Sequence, residues 1–362
     1  LVKKTHSMKK SKIIFDAERM KYPHTGLYHF CLNLGNAIVD QCPKDKELFF
    51  YLNAKMPKIF GPDRQYIDQY SLQKFFMPRL RNFSIWHSTF QLTSYLPRHK
   101  SLKVVSTIHD LNFLKEGKSP QKIEGYLKKI QHTLDRADEI VAISNYVKRD
   151  LEDYCDLKGK EVSVIYNGNN IDPNLLQNLL TGSSPLDQDY IFTIGTVNRK
   201  KNFHVLPYLL VGNDLKLIIS GIVHEPDYHK KIQDIAAKLN VADRVVLTGP
   251  VTEAEKYNYL KNCALFVFPS IAEGFGLPVI EAMSFGKKVL LSKHTSLPEI
   301  GGKEAFYMES MEPDDLMDFG KNKLMELINF PSKEKEIKQW ASQFTWQNAA
   351  LQYWDIYNRL LK

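Results

Sequence analysis

The stretch from Ser270 to Gly302, SIAEGFGLPVIEAMSFGKKVLLSKHTSLPEIGG, constrains the fold more than any other part of the chain. It begins where the apolar run LFVFPS (265–270) gives out, passes through Gly274 and Gly276, and enters a helical pattern with Pro278 in its first turn. A buried strand, a glycine turn and a helix in that order form an α/β unit, and the turn is a place for an anion. Glycine lets the backbone approach a ligand closely, and the amides of Phe275, Gly276 and Leu277 are donors that the following helix cannot use. Glu273 lies just before the glycines and Glu281 about one turn into the helix, so a carboxylate stands on either side of the anion site. Ionised carboxylates only accept hydrogen bonds and therefore suit vicinal hydroxyls. The ligand this layout fits has a diphosphate centre and a hydroxyl-bearing group at each end, which is the shape of a nucleotide sugar.

The same strand-and-helix rhythm runs through the whole chain. Short β-rich runs at 12–17, 47–52, 83–90, 103–110, 139–144 and 162–168 are separated by helical patterns. Several are apolar throughout, as strands covered on both faces should be. Between Asn167 and Tyr190 the residues Asn, Gly, Ser and Pro concentrate, which marks an interdomain linker. A second series follows at 190–195, 215–220, 244–249, 265–270, 287–292 and 305–310. The predicted architecture is α/β, with two Rossmann-like, doubly wound parallel-sheet domains at 8–175 and 186–344. Ligands are expected at the carboxyl ends of strands and in the cleft between domains. A final helical stretch, 345–362, carries Trp346, Ala349, Ala350, Tyr353, Trp354, Tyr357 and Leu361 on one apolar stripe.

At 362 residues the chain has room for two cores. Its four cysteines, Cys31, Cys42, Cys155 and Cys263, are scattered without metal-ligand spacing, which reads as a reduced, cytoplasmic compartment. The basic opening LVKKTHSMKKSK runs straight into KIIFDA with no signal-peptide apolar region, and Met8 is read as the natural start. A net charge of +8 points to an anionic partner, a nucleotide or an anionic membrane surface. Nucleic acid is disfavoured, because the basic residues are spread along the chain and no recognition module is present.

The run EGFGLPVIEA, the strand end FVFPS before it and the pattern G..V..S....LPE..G around it resemble the donor-site motif of retaining glycosyltransferases of the GT-B fold, mannosyltransferase-like family 4 in particular. The resemblance implies that Glu273 addresses the donor sugar hydroxyls and Glu281 the nucleotide ribose. The backbone of Gly274, Phe275, Gly276 and Leu277 would hold the diphosphate. IGTVNRKKNF is similar to the family's basic turn, with Lys201 matching its lysine, Lys200 the arginine beside it, and Arg199 one place off that register. STIHDLN resembles the family's T-I-H-D-L, which puts His109 beside the donor sugar, while Asp110 is open to a capping role. Thr25-Gly26-Leu27-Tyr28 is similar to the family's T-G-I-G-R-Y but lacks its second glycine and its arginine, leaving Gly26 as the donor-side residue of that turn. His87 ends a strand too and is read as structural. In such enzymes the last helix packs back on the N-terminal domain.

The activity implied is transfer of a hexosyl group, mannosyl preferred, from a nucleotide diphosphate sugar to a glycan or lipid-linked acceptor in cell-surface polysaccharide or lipopolysaccharide synthesis. Glu273, His109 and Lys201 are the candidate catalytic residues. No cofactor and no metal is expected, because no carboxylate cluster of metal-ligand type stands out and the basic turn can neutralise a departing diphosphate. The expected location is cytoplasmic, with peripheral contact at the inner membrane face left open. A GT-B nucleotide-sugar isomerase and a non-catalytic two-domain sugar-binding protein are the alternatives that share this architecture.

Overall fold

The computed structural model describes residues 10–23, 25–171 and 188–362. Met8 and residues 172–187, which hold most of the expected linker and the expected domain limits at 175 and 186, lie outside them. The chain divides into two compact units, one running to Gly168 and resuming at Thr345–Lys362, the other comprising Asn169–Phe344. Asn169, Asn170 and Ile171 therefore group with the second unit, where a limit at 175 would have put them in the first. The physical cause is local: the Asn169 N–H donates to the Phe344 carbonyl at 2.9 Å, and the Asn170 amide donates to Glu281 at 3.3 Å.

The first unit is built on a parallel sheet of order β3-β2-β1-β4-β5-β6-β7. Its strands are β1 (Ser11–Asp16), β2 (Lys46–Asn53), β3 (Gln65–Gln69), β4 (Ile85–Ser88), β5 (Lys103–Ile108), β6 (Glu139–Ala142) and β7 (Val162–Val164). The central strands are apolar and buried on both faces because helices and loops cover both sides. β3, QYIDQ, has only two apolar residues and pairs on one side only, so it carries no run of the kind that betrays the other strands. The order reverses between β1 and β4, so the crevice outside their carboxyl ends is a natural ligand position. The helix Gly26–Asp40 starts there, capped by the Thr25 hydroxyl, which accepts from the Tyr28 N–H at 3.2 Å.

The last helix, Trp346–Leu360, packs on Gly26–Asp40 within this unit, burying Trp346, Ala349, Ala350, Tyr353, Trp354, Ile356 and Tyr357. Trp354 donates its indole N–H to the Ile38 carbonyl at 3.1 Å. Beneath it runs a buried polar chain: Tyr357 Oη meets His87 Nδ1 at 2.7 Å, His87 Nε2 meets Thr107 Oγ1 at 2.8 Å, and Thr107 Oγ1 meets Tyr353 Oη at 2.8 Å. Every polar atom of that chain has a partner, so burying it carries little cost, and it fixes the helix on the ends of β4 and β5. His87 is thus a strut for the terminal helix.

The second unit holds a parallel sheet of order β10-β9-β8-β11-β12-β13. Its strands are β8 (Tyr190–Ile194), β9 (Lys216–Ser220), β10 (Val245–Gly249), β11 (Leu265–Phe268), β12 (Val289–Leu291) and β13 (Phe306–Tyr307). Here the order reverses between β8 and β11, the two strands that precede the basic turn and the glycine turn. Among the described residues no helix is long and apolar enough to cross a membrane.

Tyr357→Phe removes one end of the buried chain and leaves His87 Nδ1 without its partner. It should destabilise the first unit by about 1–3 kcal/mol. Urea unfolding followed by tryptophan fluorescence, to which Trp86, Trp346 and Trp354 of this unit contribute, measures the shift.

Candidate active site

At the reversal point of the second sheet two turns are stitched together. The basic turn after β8 is a short 3-10 segment, Arg199–Lys201, whose first N–H groups are met by the Asn198 side chain, which accepts from the Lys201 N–H at 3.3 Å. The Lys200 carbonyl accepts from the Ile271 N–H at 2.9 Å and from the Ser270 hydroxyl at 3.1 Å, joining this turn to the chain leaving β11. Ser270 also lies 2.6 Å from Glu273 Oε1. The glycine turn is held from behind: Thr295 Oγ1 accepts from the Glu273 N–H at 3.0 Å, and the Ser296 hydroxyl lies 3.0 Å from the carbonyls of both Glu273 and Phe275. Gly276 has φ 105°, which L side chains rarely adopt, and a Cβ there would meet Leu297 at 2.9 Å. The helix Leu277–Ser284 starts immediately after it, with Pro278 in its first turn, where a missing N–H costs nothing.

Lys201 Nζ lies 2.5 Å from Glu273 Oε1 and 4.8 Å from the centre of the Phe268 ring. Only 12% and 13% of the two side chains are exposed. Burial alone would push the Glu273 carboxyl up, but the Lys201 and Lys200 ammonium groups and the hydrogen bonds from Lys201 and Ser270 outweigh it and hold it below the usual value. Glu273 is therefore a carboxylate. Lys200 contributes to the same field, whereas Arg199 is largely exposed and pairs with Glu225 at 3.3 Å, so the register match of Lys201 and the offset of Arg199 have a structural counterpart.

Glu281 is only 4% exposed and shares its Oε1 with Lys256, 3.3 Å away, and with Asn170. Lys256 is itself buried and also pairs with Glu253 at 2.9 Å. Burial would lower the Lys256 ammonium, yet Glu281 and Glu253 hold it above the usual lysine value. Sequence reasoning passed over Lys256 and Asn170, and no local spacing points to them. Ser270, Thr295 and Ser296 lie inside the quoted motif, and their bracing role is visible only from the bonds they make.

In the first unit, Gly26 opens the helix that follows β1 and faces open space, since a Cβ there would meet nothing within 4 Å. His109 follows β5 and is buried, with Nε2 2.8 Å from the Thr89 carbonyl and its ring edge-on to Phe30 at 4.5 Å. A carbonyl only accepts, so Nε2 carries the hydrogen and Nδ1 the lone pair. Burial lowers His109 to about 4, against the opposing pull of its bond to Thr89, and the ring is neutral at pH 7. Asp110 Oδ1 accepts from the Asn112 N–H at 3.1 Å, a local turn cap. Asp16, also missed, ends β1 fully buried; burial and Glu18 raise it well above the carboxylate range, and its Oδ2 has no hydrogen-bond partner among the described residues. Among the described residues no group of three or more His, Cys, Asp or Glu could hold a metal ion.

Two family profiles divide the chain between them. "Glycosyltransferase Family 4" matches residues 39–173, and "Glycosyl transferases group 1" matches residues 182–341, which contain both stitched turns. The fold is that of solved glycosyltransferases: sucrose-phosphate synthase from Thermosynechococcus elongatus has a TM-score of 0.76 at 18% identity, covering 97% of this chain and 99% of that one. The chain is built of a Glycosyltransferase Family 4 domain and a Glycosyl transferases group 1 domain in the GT-B fold. Anabaena HepE, solved in complex with UDP-glucose, shares the fold with a TM-score of 0.74 at 17% identity, over 96% of this chain and 99% of that one. Among curated relatives, the serotype-specific mannosyltransferase WbdA of Escherichia coli is 29% identical over 289 residues, 72% of this chain. The match spans only 34% of WbdA, and 62% of an uncharacterised glycosyltransferase of Methanocaldococcus jannaschii that is 26% identical over 64% of this chain. O-antigen chain mannosyltransferase B of Escherichia coli is 26% identical over 96% of this chain and 100% of its own length.

Removing either partner of the Lys256–Glu281 pair leaves a buried charge behind. Lys256→Met and Glu281→Gln should each destabilise the second unit by about 2–4 kcal/mol, with the double variant recovering part of the loss. Chemical unfolding of the three variants measures the coupling. His87, lowered to about 3 by burial, and His109, lowered to about 4, both lie below the ordinary histidine value of about 6.5. The unfolded state binds protons more readily than the folded one, so the stability they contribute is complete above about pH 6.5 and is lost as pH falls toward 4. Thermal unfolding across that window should fall less steeply for His109→Gln than for the parent.

Proposed function

We propose that this transferase moves a hexosyl group, mannosyl preferred, from a nucleoside diphosphate sugar to a hydroxyl of a glycan or lipid-linked acceptor, with retention at the anomeric carbon. The observation that carries the reading is the Lys201–Glu273 pair, seated between the carboxyl ends of β8 and β11 and against the Gly276 turn. Lys201 and Lys200, with the amides of Phe275, Gly276 and Leu277, would bind the diphosphate and neutralise the charge that builds on it as the glycosidic bond breaks. Glu273, released from Lys201 by the competing phosphates, would accept hydrogen bonds from the sugar hydroxyls. Glu281 would meet the ribose through Oε2, its Oε1 being shared by Lys256 and Asn170. Gly26 and His109 belong to the first unit, which is proposed as the acceptor side.

In the transfer step the bond from the anomeric carbon to the diphosphate oxygen breaks and its electron pair leaves with the diphosphate. The acceptor oxygen bonds to the same face of that carbon, and its proton passes to a departing phosphate oxygen. Charge neutralisation is assigned to the lysines, so transfer is proposed to need no metal ion and should persist in a chelator. The mannosyl preference and a place in O-antigen or related cell-surface polysaccharide synthesis are supported by the names of WbdA and mannosyltransferase B.

The reading is tested by incubating the enzyme with GDP-mannose, UDP-glucose, UDP-galactose and UDP-N-acetylglucosamine in turn, then assigning the anomeric configuration of the product by NMR. A product of inverted configuration overturns retention, and turnover of the uridine donors alone overturns the mannosyl preference. Glu273→Gln should lower kcat about ten- to a hundredfold while free nucleotide diphosphate binds almost as before, whereas Lys201→Ala should weaken both. Gly26→Ala should leave stability unchanged or raise it, because alanine favours the helix and its methyl has room, yet lower transfer by crowding the ligand.

A further inference from the structure

The segment joining β3 to β4 exposes apolar side chains that an isolated protein surface would ordinarily cover. Tyr70, Leu72, Phe75 and Phe76 are 55%, 66%, 69% and 75% exposed, all within seven residues. Single exposed apolar residues are common, but a contiguous cluster of this kind marks a surface that meets something. The segment is also fixed in place. Met77, Leu80 and Phe83 of the same connection pack against the core formed by Ile14, Tyr51, Trp86 and Tyr95, so the exposed rings stand on an anchored strap.

Residues 75–80 line one groove of about 380 Å³ with residues 97–99 and Leu102. That second wall is pinned by Arg136, whose guanidinium donates to the carbonyls of Pro97 at 2.6 Å and His99 at 3.0 Å. Together the stretches 70–82 and 96–101 hold five Lys and Arg residues (Lys74, Arg79, Arg81, Arg98 and Lys100) and no Asp or Glu. All five are exposed. The adjoining Asp68 accepts a hydrogen bond from Tyr70 Oη at 3.2 Å. Exposed aromatics ringed by cations match an anionic lipid interface, where rings enter at headgroup depth and ammonium and guanidinium groups meet phosphates.

We infer that the 70–82 strap and the 96–101 loop form a docking surface for an anionic phospholipid bilayer. Tyr70 and Leu72 leave the carboxyl end of β3, and in a parallel sheet that is the edge from which Gly26 and His109 also emerge. Only β2 lies between β3 and β1, a separation of roughly 10 Å. The strap then runs on to the amino end of β4, and the 96–101 loop leads into the amino end of β5, so the docking surface extends from the carboxyl edge of the sheet toward its amino edge. The membrane contact itself needs neither donor nor acceptor, so it stands or falls apart from the proposed reaction.

The test is co-sedimentation of the full chain with vesicles of phosphatidylcholine and with vesicles of equimolar phosphatidylcholine and phosphatidylglycerol. The parent protein should bind the mixed vesicles, release at high salt, and stay in solution with phosphatidylcholine alone. Phe75→Ser/Phe76→Ser and Arg79→Glu/Arg81→Glu should each cut partitioning at least about tenfold with unchanged thermal unfolding, since all four positions are exposed. Phe76→Trp, which keeps an interfacial ring, should bind as the parent does. Failure of the parent to bind the mixed vesicles, or undiminished binding by both double variants, overturns the inference. So does a parent that self-associates in analytical ultracentrifugation without lipid and is made monomeric by the phenylalanine variant, which would make the surface an interface between copies.

Discussion

The contact on which the candidate site depends is the nearly buried ion pair between Lys201 and Glu273. Taking two charges out of water is costly, and one hydrogen bond rarely repays it. Here the cost is reduced by the Ser270 hydroxyl on the carboxylate, by Lys200 nearby and by the Phe268 ring under the ammonium. The pair also joins turns that leave β8 and β11, so it sits where the strand order reverses. A sheet that fans out in both directions from one point leaves an open crevice there, and this chain fills its rim with a basic turn, a glycine turn and a helix N-terminus.

The first unit uses buried polarity differently. Its chain of Tyr357, His87, Thr107 and Tyr353 is closed on itself and joins residues far apart in sequence. It makes the terminal helix part of the first unit's core rather than an appendage. His109, next to this network, keeps a neutral ring with an unprotonated Nδ1 because its Nε2 is committed to the Thr89 carbonyl. One histidine is a strut. The other retains an unprotonated ring nitrogen that a reacting group could use.

Much of this was legible in the sequence because it is local. Gly276, Pro278 and Glu273 declare a strand, a turn and a helix through spacing alone, and the apolar runs of β1, β5, β8 and β11 announce strands covered on both faces. β3 escaped because an edge strand need not be apolar, and QYIDQ offers neither a run nor a full alternation. The partner of Glu281 escaped because Lys256 lies on another helix, and a lysine in the polar run EAEKYN reads as solvated until the fold buries it. His87 and His109 both end strands, and they are told apart by Tyr357, some 270 residues away from His87. Side-chain pairs across that distance leave no trace in local spacing. The exposed strap at 70–76 was likewise invisible, since apolar residues in a loop are as easily buried as bare.

Hydrogen–deuterium exchange with and without a nucleoside diphosphate tests the central claim most directly, because it maps the ligand without altering any residue. The account predicts slowed exchange at the amides of residues 274–277 and 199–202, where the backbone donors and the basic turn meet, with little change in β1 to β3. Protection confined to the first unit, with residues 274–277 exchanging as fast as in the free protein, would contradict it.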